Sequence, residues 1–252
     1  MWPKEHGTYG ELGFPLLTAL SLGQPGLAAA ALSLAIVCAY LAHEPLLVLA
    51  GVRGARKQKE QAALARRWMV GALSLSLVFG AIGAFFAAAA ARWALLVPCA
   101  LALAVLPLAF SGKERTLVGE LLAGAALVSA SLPVALSSGM ALEVAIGFVG
   151  VWLLSFALLT GAVRGVARKR WDGGRRLRVA AAVALGVGVV VSALAFWGGI
   201  EGWLAQALIP TWLTAAIVVS LAPSPRHMHR VGWSLIASSA LTYVALLWLV
   251  PN

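Results

Sequence analysis

Long apolar runs, separated by short charged segments, are the dominant pattern along the chain. The hydrocarbon core of a bilayer is about 30 Å thick and takes about 20 helical residues. Nine runs approach this length, so the pattern predicts an all-α polytopic membrane bundle of about nine transmembrane helices. Because the first run contains Gly13 and Pro15, we expect it to be tilted, kinked or not fully spanning. The predicted runs are residues 11–23, 26–50, 68–90, 93–110, 117–137, 141–163, 179–197, 203–222 and 232–250.

The composition agrees with insertion into a membrane. Of the 252 residues, 62% are hydrophobic and 11% are charged, and the mean hydropathy is +0.93, far above that of soluble domains. The formal net charge of +10 would suit a nucleic-acid-binding protein, but the basic residues lie in short segments between apolar runs. We therefore interpret them as topology signals, and we expect membrane lipids rather than nucleic acid as partners.

The lysines and arginines predict an orientation. Cytoplasmic segments of membrane proteins are enriched in Lys and Arg. If the N-terminus is cytoplasmic, 18 of the 19 basic residues fall on the cytoplasmic side, and Arg92 is the exception. The C-terminus is then expected outside. The predicted inside segments are residues 1–10, 51–67, 111–116, 164–178 and 223–231.

The sequence predicts one domain and gives no sign of a metal site. No internal repeat or long polar insertion divides the chain, so we expect a single transmembrane helical domain covering residues 1–252. Cys38 and Cys99 each lie in an apolar run without partners at ligand spacing, which favours buried thiols over a disulfide or a zinc site. No metal site and no cofactor are predicted.

The first polar feature inside an apolar run is the segment "LAHEPLLV", residues 41–48. Ionisable groups in a membrane span cost several kcal/mol unless they face a wet or paired interior, which makes His43 and Glu44 candidate site residues. Pro45 predicts a break or kink at this point, with residues 45–52 angled towards the interface. We expect the pair to line a cytoplasm-facing pocket. The alternative is that both side chains bind free backbone groups and a neighbouring helix.

The second polar feature is "FSGKERTLVGELLAG", residues 110–124. If a helix begins at Thr116, Glu120 lies one turn inside the membrane, about 6 Å deep, and needs a cation. Lys113 and Arg115 are near in sequence, and Arg164 is a candidate from the sixth run. The alternative is that these three cations are ordinary cytoplasmic topology charges.

The N-terminal segment "WPKEHGTYGELGFP", residues 2–15, combines charged side chains, His6, Glu11 and several glycines just before the first run. This density predicts a segment folded back into the mouth of the bundle, with His6 and Glu11 at the pocket. A disordered N-terminus is the alternative.

The segments "PKEHGTYGELGFPLL" and "AYLAHEPLLVL" resemble the YwiC-like family of bacterial membrane proteins. This resemblance implies a multi-pass protein of the bacterial cytoplasmic (inner) membrane, without implying an activity. A more distant resemblance is to the UbiA-type prenyltransferases, which also have nine spans and cytoplasmic active-site loops. The piece "SGKERTLVGELLAG" is similar to their basic segment between spans four and five, which places Lys113, Arg115 and Glu120 at pocket positions.

The aspartate content argues against UbiA-type chemistry. Those enzymes hold magnesium through Asp-rich motifs after spans two and six, because hard divalent ions need several carboxylate oxygens. This chain has one aspartate, Asp172, and the two motif positions carry "HEPLLVLAGVRG" and "TGAVRGVARKR". Magnesium-dependent prenyl transfer is therefore not expected.

The sequence leaves three functional hypotheses. The first is a cytoplasm-facing polar pocket that binds an anionic or amphipathic small molecule, such as an isoprenoid-like compound. A further version of this hypothesis is that the protein also transports the molecule. The second is a metal-independent or degenerate UbiA-like transferase that modifies lipids. The third is a non-catalytic assembly partner of another membrane protein. No Ser-His-Asp order, HExxH or glycine-rich phosphate loop specifies an enzymatic reaction.

Overall fold

A computed structural model describes residues 6–167, 202–224 and 227–250, together with positions 179, 182, 183, 186, 187 and 190. The described residues are helical or in short connections, and none is in a β-strand. The chain divides into two compact units, Met1–Ala145 and Ile146–Asn252. The prediction of a single domain stays a prediction, and each unit is described by itself below.

The first unit contains seven α-helices and one 3-10 turn, Lys113–Arg115, which joins α5 to α6. Its helices are α1 (His6–Leu22), α2 (Leu27–Leu49), α3 (Ala55–Phe86), α4 (Ala89–Ala94), α5 (Leu96–Phe110), α6 (Leu117–Ser129) and α7 (Ser131–Ser137). The next helix, α8 (Leu142–Ala167), contains the boundary between the units. The second unit continues with α9 (Gly202–Leu221) and α10 (Met228–Leu249).

Within the described part of the chain, seven helical segments are long and apolar enough to cross a membrane. They correspond to seven of the nine predicted runs, with α4–α5 and α6–α7 each forming one segment, so the chain is a polytopic helical membrane protein. The helix α1 covers the first predicted run, but its 17 residues are fewer than the roughly 20 that a straight span requires. The predicted run 179–197 lies outside the continuously described residues, so the count of nine stays a prediction.

The helices α2 and α3 form an antiparallel hairpin in the first unit. Ser76 Oγ donates a hydrogen bond of 2.9 Å to the Ala35 carbonyl oxygen across the hairpin. A Cβ atom added to Gly83 would lie 2.7 Å from the Leu32 side chain. The small residues of α3 therefore allow the two helices to approach closely, as is typical of membrane helices.

Pro45 does not break α2. The helix runs without interruption from Leu27 to Leu49, and Pro45 is a buried residue inside it. Proline removes the donor that would bind the Leu41 carbonyl oxygen, but packed neighbours allow membrane helices to tolerate such a loss. The predicted break is therefore wrong, whereas a kink at Pro45 and an outward angle of residues 45–52 stay predictions.

The N-terminal segment is helical from His6 onward and contacts α6 and α7. At its end, Gln24 N–H donates a hydrogen bond of 2.8 Å to the carbonyl oxygen of Ser138, just after α7. The described part of this segment is packed on the unit and is not a loose tail, and its place at the mouth of a pocket stays a prediction.

Among the residues that the structure describes, the buried side chains of the second unit come mainly from α8, α9 and α10. Ser155 on α8 and Thr211 on α9 are fully buried, and their hydroxyl oxygens are 3.0 Å apart. Trp152 is also fully buried and stacks on Phe156 with a centroid distance of 5.7 Å. A buried apolar cluster of the same unit consists of Leu158, Leu159, Ala162, Val166, Ala215, Val218, Val219 and Val231.

Candidate functional site at the arginine turn

The candidate site is an ion cluster in which Arg53 bridges two carboxylates. Its Nη2 donates a hydrogen bond of 2.7 Å to Glu44 Oε2, and its Nε lies 3.2 Å from both Glu44 carboxylate oxygens. Its Nη1 donates to Glu114 Oε1 at 3.2 Å. The three side chains are only 16%, 12% and 16% exposed for Arg53, Glu44 and Glu114. Burial of this kind raises the cost of any uncompensated charge.

Two glycines form the turn that carries Arg53, which we call the arginine turn (residues 50–54). Gly51 and Gly54 have φ angles of +77° and +98°, a region that residues with a Cβ rarely adopt. Gly54 N–H donates a hydrogen bond of 2.9 Å to the Gly51 carbonyl oxygen, which closes the turn. Gln58 Nε2 then donates to the Leu49 carbonyl oxygen at 2.7 Å. The chain reverses within five residues, and Arg53 returns to Glu44, nine positions earlier.

The second carboxylate comes from the turn between α5 and α6, which we call the basic turn (residues 111–116). Gly112 has a φ angle of +68°, and the 3-10 turn follows directly. Thr116 caps α6, because its Oγ1 accepts a hydrogen bond of 3.1 Å from Gly119 N–H. A Cβ added to Gly119 would lie 2.5 Å from the Glu114 carbonyl oxygen. Only glycine therefore lets α6 pack this closely under Glu114.

Two further cations stand beside the cluster. Lys113 and Arg115 flank Glu114 in the basic turn, and both are exposed. The arginine turn and the basic turn thus bring three cations and two carboxylates to one end of the first unit. The exposed side chains of Lys113 and Arg115 can attract an anion to this end of the unit.

The predicted site residues fall at several places. Glu44 is buried in the ion cluster, His43 is partly buried beside it on α2, and Lys113 and Arg115 flank the cluster. Glu120 is partly buried on α6, one turn after the cap.

The remaining predicted residues lie outside the ion cluster or have side chains that the structure does not describe. Glu11 is partly buried on α1, and its Oε2 is 3.6 Å from the position of a Cβ on Gly124. His6 begins α1, but its side chain is outside the described part. Arg164 lies on α8 in the second unit, so its pairing with Glu120 stays a prediction.

Sequence reasoning missed Arg53 and Glu114 as site residues. In the sequence, Arg53 has the pattern of a cytoplasmic topology charge, and Glu114 lies between two cations that account for it locally. The available signal was the segment "GVRG", residues 51–54, in which two glycines enclose the first arginine after the apolar run that holds Glu44. Such a spacing indicates a tight turn that can direct the arginine back onto the helix.

Two aromatic side chains extend the site towards α1. The rings of Tyr9 on α1 and Tyr40 on α2 meet edge to face, with centroids 5.6 Å apart. Tyr40 precedes Glu44 by one helical turn, so the contact lies next to the ion cluster along α2. Among the residues that the structure describes, no group of three or more His, Cys, Asp or Glu side chains could hold a metal ion.

A separate apolar groove runs between α2 and α3 and has a volume of about 400 Å³. It contains none of the three residues of the ion cluster. Its lining residues are Cys38, Leu41, Leu64, Arg67, Trp68, Gly71, Ala72 and Leu75.

The fold and the seven candidate spans define a polytopic α-helical membrane protein. A family profile described as YwiC-like protein matches residues 2–136, more than half of the 252-residue chain, so the chain belongs to the YwiC-like family. No curated protein and no solved structure matches the chain. The family match falls within the first unit, which carries the ion cluster. The resemblance to the UbiA-type fold gains no support from these comparisons and stays a prediction.

Proposed function

We propose that the protein binds a small anionic amphipathic molecule at the end of the first unit formed by the arginine turn and the basic turn. The anionic head would contact Arg53, Lys113 and Arg115, and the apolar part would extend among the helices. An isoprenoid-like compound has the required combination of charged head and hydrocarbon tail. The proposal assigns binding, and it assigns neither a transport step nor a transferase reaction.

The contact between Arg53 Nη1 and Glu114 Oε1 supports this proposal most directly. At 3.2 Å it is longer than the 2.7 Å contact between Nη2 and Glu44, and it comes from a short turn rather than from a long helix. A carboxylate or phosphate oxygen of a ligand has the same chemistry as the Glu114 carboxylate. Such an oxygen could therefore replace Glu114 on the same edge of the guanidinium.

Glu44 prepares Arg53 for this exchange. It holds Nε and Nη2 from a buried position on α2, so the guanidinium plane is fixed before any ligand arrives. Fixing an arginine in advance removes part of the entropic cost of binding. The exposed cations Lys113 and Arg115 then add charge at the place where the head would lie.

A binding experiment with two matched probes tests the proposal. We expect farnesyl diphosphate to bind the purified full-length protein, without added magnesium, at least about tenfold more tightly than uncharged farnesol, since a tenfold ratio corresponds to about 1.4 kcal/mol. Isothermal titration calorimetry in detergent measures both affinities. Equal affinities for the two probes would contradict an anion site.

Two substitutions separate binding from stability. Arg53→Gln should weaken farnesyl diphosphate binding, whereas Arg56→Gln, at a side chain 91% exposed in the same segment, should leave it unchanged. Glu114→Gln should strengthen binding, because it removes the competing carboxylate from Arg53. A purely structural role for the cluster predicts the opposite sign for Glu114→Gln, so weaker binding in that variant would overturn the proposal.

A further inference from the structure

We propose that the groove between α2 and α3 holds one acyl chain of an anionic phospholipid, with Arg67 contacting the lipid phosphate. This site is independent of the proposed ligand site at the arginine turn, because the two share no residue.

The length of the groove fits one acyl chain in one leaflet. From Arg67, the proposed phosphate contact, to Leu75, the α3 side of the groove is about 12 Å long at 1.5 Å per residue. Half of a bilayer hydrocarbon core is about 15 Å. Its lining combines the small residues Gly71 and Ala72 with the apolar side chains of Leu41, Leu64 and Leu75.

Near one end of the groove, one turn after Leu64, lie two side chains of the kind that occur at a membrane interface. Arg67 and Trp68 are adjacent and exposed, and both line the groove. Indole rings prefer the level of the lipid head groups, and arginine side chains extend along apolar surface to place their charge there. The groove therefore runs from the interface into the hydrocarbon layer, in the direction that an acyl chain takes from its phosphate.

The charge of this segment favours an anionic head group. Arg67 is the one charged side chain among the residues that line the groove. The segment from Arg56 to Arg67 holds five basic residues and one acid, Glu60, which pairs with Arg56 at 2.8 Å. Basic residues near a membrane surface attract anionic lipids by about 1 kcal/mol each. A zwitterionic lipid lacks the net charge that this surface complements.

Native mass spectrometry of the full-length protein tests the site. The protein is purified in detergent and exposed to an equimolar mixture of phosphatidylglycerol and phosphatidylcholine with identical acyl chains. We expect phosphatidylglycerol adducts to exceed phosphatidylcholine adducts about fivefold, which is what one cation contributes. Arg67→Gln should bring the ratio near one, whereas Arg66→Gln, at the neighbouring exposed arginine outside the groove, should preserve it.

A second pair of variants tests whether the chain occupies the groove. Ala72→Phe places a bulky ring at a residue that lines the groove and should reduce adducts of both lipids several-fold. Ala81→Phe, at an exposed position of α3 outside the groove, should not.

Several outcomes would overturn the proposal. Equal losses in Arg66→Gln and Arg67→Gln would indicate general surface charge, and full adducts in Ala72→Phe would place the chain elsewhere. A ratio near one in the unmodified protein would mean a neutral lipid occupant. A lipid-free dimer that Ala72→Phe dissociates would assign the groove to a second copy of the chain.

Discussion

At the scale of single residues, two glutamates of the first unit differ in how much they contribute to stability. Glu44 is 12% exposed and shares Arg53 with a second carboxylate, whereas Glu60 is 56% exposed and pairs with Arg56 along one helix face. Solvent-exposed pairs at this spacing contribute about 0.3–0.5 kcal/mol. Removing a hydrogen-bonded carboxylate that is shielded from water costs more, because Arg53 then loses its shortest charged contact.

Glu44→Gln is therefore expected to lower the free energy of unfolding by about 1.5–3 kcal/mol, the usual range for hydrogen bonds to charged groups. Glu60→Gln is the matched control and should change it by less than about 0.5 kcal/mol. Thermal unfolding in detergent, followed by far-UV circular dichroism, measures both. Glu120 is also partly buried, so Glu120→Gln should lower the free energy of unfolding as Glu44→Gln does, and far more than Glu60→Gln. Equal and small effects of all three substitutions would show that none of these carboxylates has a buried role.

The need of Glu44 for a cation could be predicted from the sequence, but the identity of that cation could not. A carboxylate in an apolar run requires a partner because an unpaired charge inside the membrane costs several kcal/mol. The partner, Arg53, reaches it through positive φ angles at Gly51 and Gly54, and a sequence shows glycine without showing its φ angle. Glu114 depends on a contact across 61 residues of sequence, which no local pattern contains.

At the scale of elements, the hairpin of α2 and α3 depends on how closely two apolar helices approach. Lipid supplies no hydrophobic drive for helix association, so packing and a few polar contacts determine it. Gly80 and Gly83 lie on α3, one turn apart, and meet α2 at different distances. A Cβ on Gly80 would have an ordinary 3.8 Å contact with Ala35, whereas a Cβ on Gly83 would lie 2.7 Å from Leu32.

This difference predicts opposite effects of one substitution at two positions. Gly83→Ala should destabilise the protein by about 1–3 kcal/mol, because the added methyl forces Leu32 and its backbone away. Gly80→Ala should be neutral or stabilising by up to about 1 kcal/mol, since alanine is the better helix former. The denaturation midpoint in a mild detergent with added sodium dodecyl sulfate compares the two. Equal destabilisation would mean that the helices are not packed in this way.

Element positions were more predictable than their details. Apolar runs of about 20 residues follow directly from the thickness of a bilayer, and seven of the nine runs correspond to candidate spans. The break at Pro45 was wrong because a local proline preference was weighed without the packing around α2, which keeps the helix continuous to Leu49.

At the scale of the whole molecule, the family match and the ion cluster both fall in the first unit. The profile covers residues 2–136, and Glu44, Arg53 and Glu114 all lie within it. Features of the arginine turn are therefore expected to be shared by other YwiC-like proteins. Lys113 and Arg115 lie in the same matched region, so the proposed anion site belongs to the family part of the chain.

The distribution of basic residues makes a prediction about the part of the chain that is not continuously described. The segments 164–178 and 223–231 are both rich in arginine and should lie on the same side of the membrane. A chain that leaves one side and returns to it crosses an even number of times, and α9 supplies one of these crossings. Residues 179–197 should therefore supply the other.

Alkaline phosphatase fused after Gly199 should be active, because it lies outside, whereas a fusion after Gly174 should be inactive. Fluorescent protein fusions at the same sites should give the reverse pattern. Matching signals at the two sites would show that residues 179–197 do not cross the membrane. The chain would then have at most eight crossings, and the C-terminus would lie on the side opposite to the predicted one.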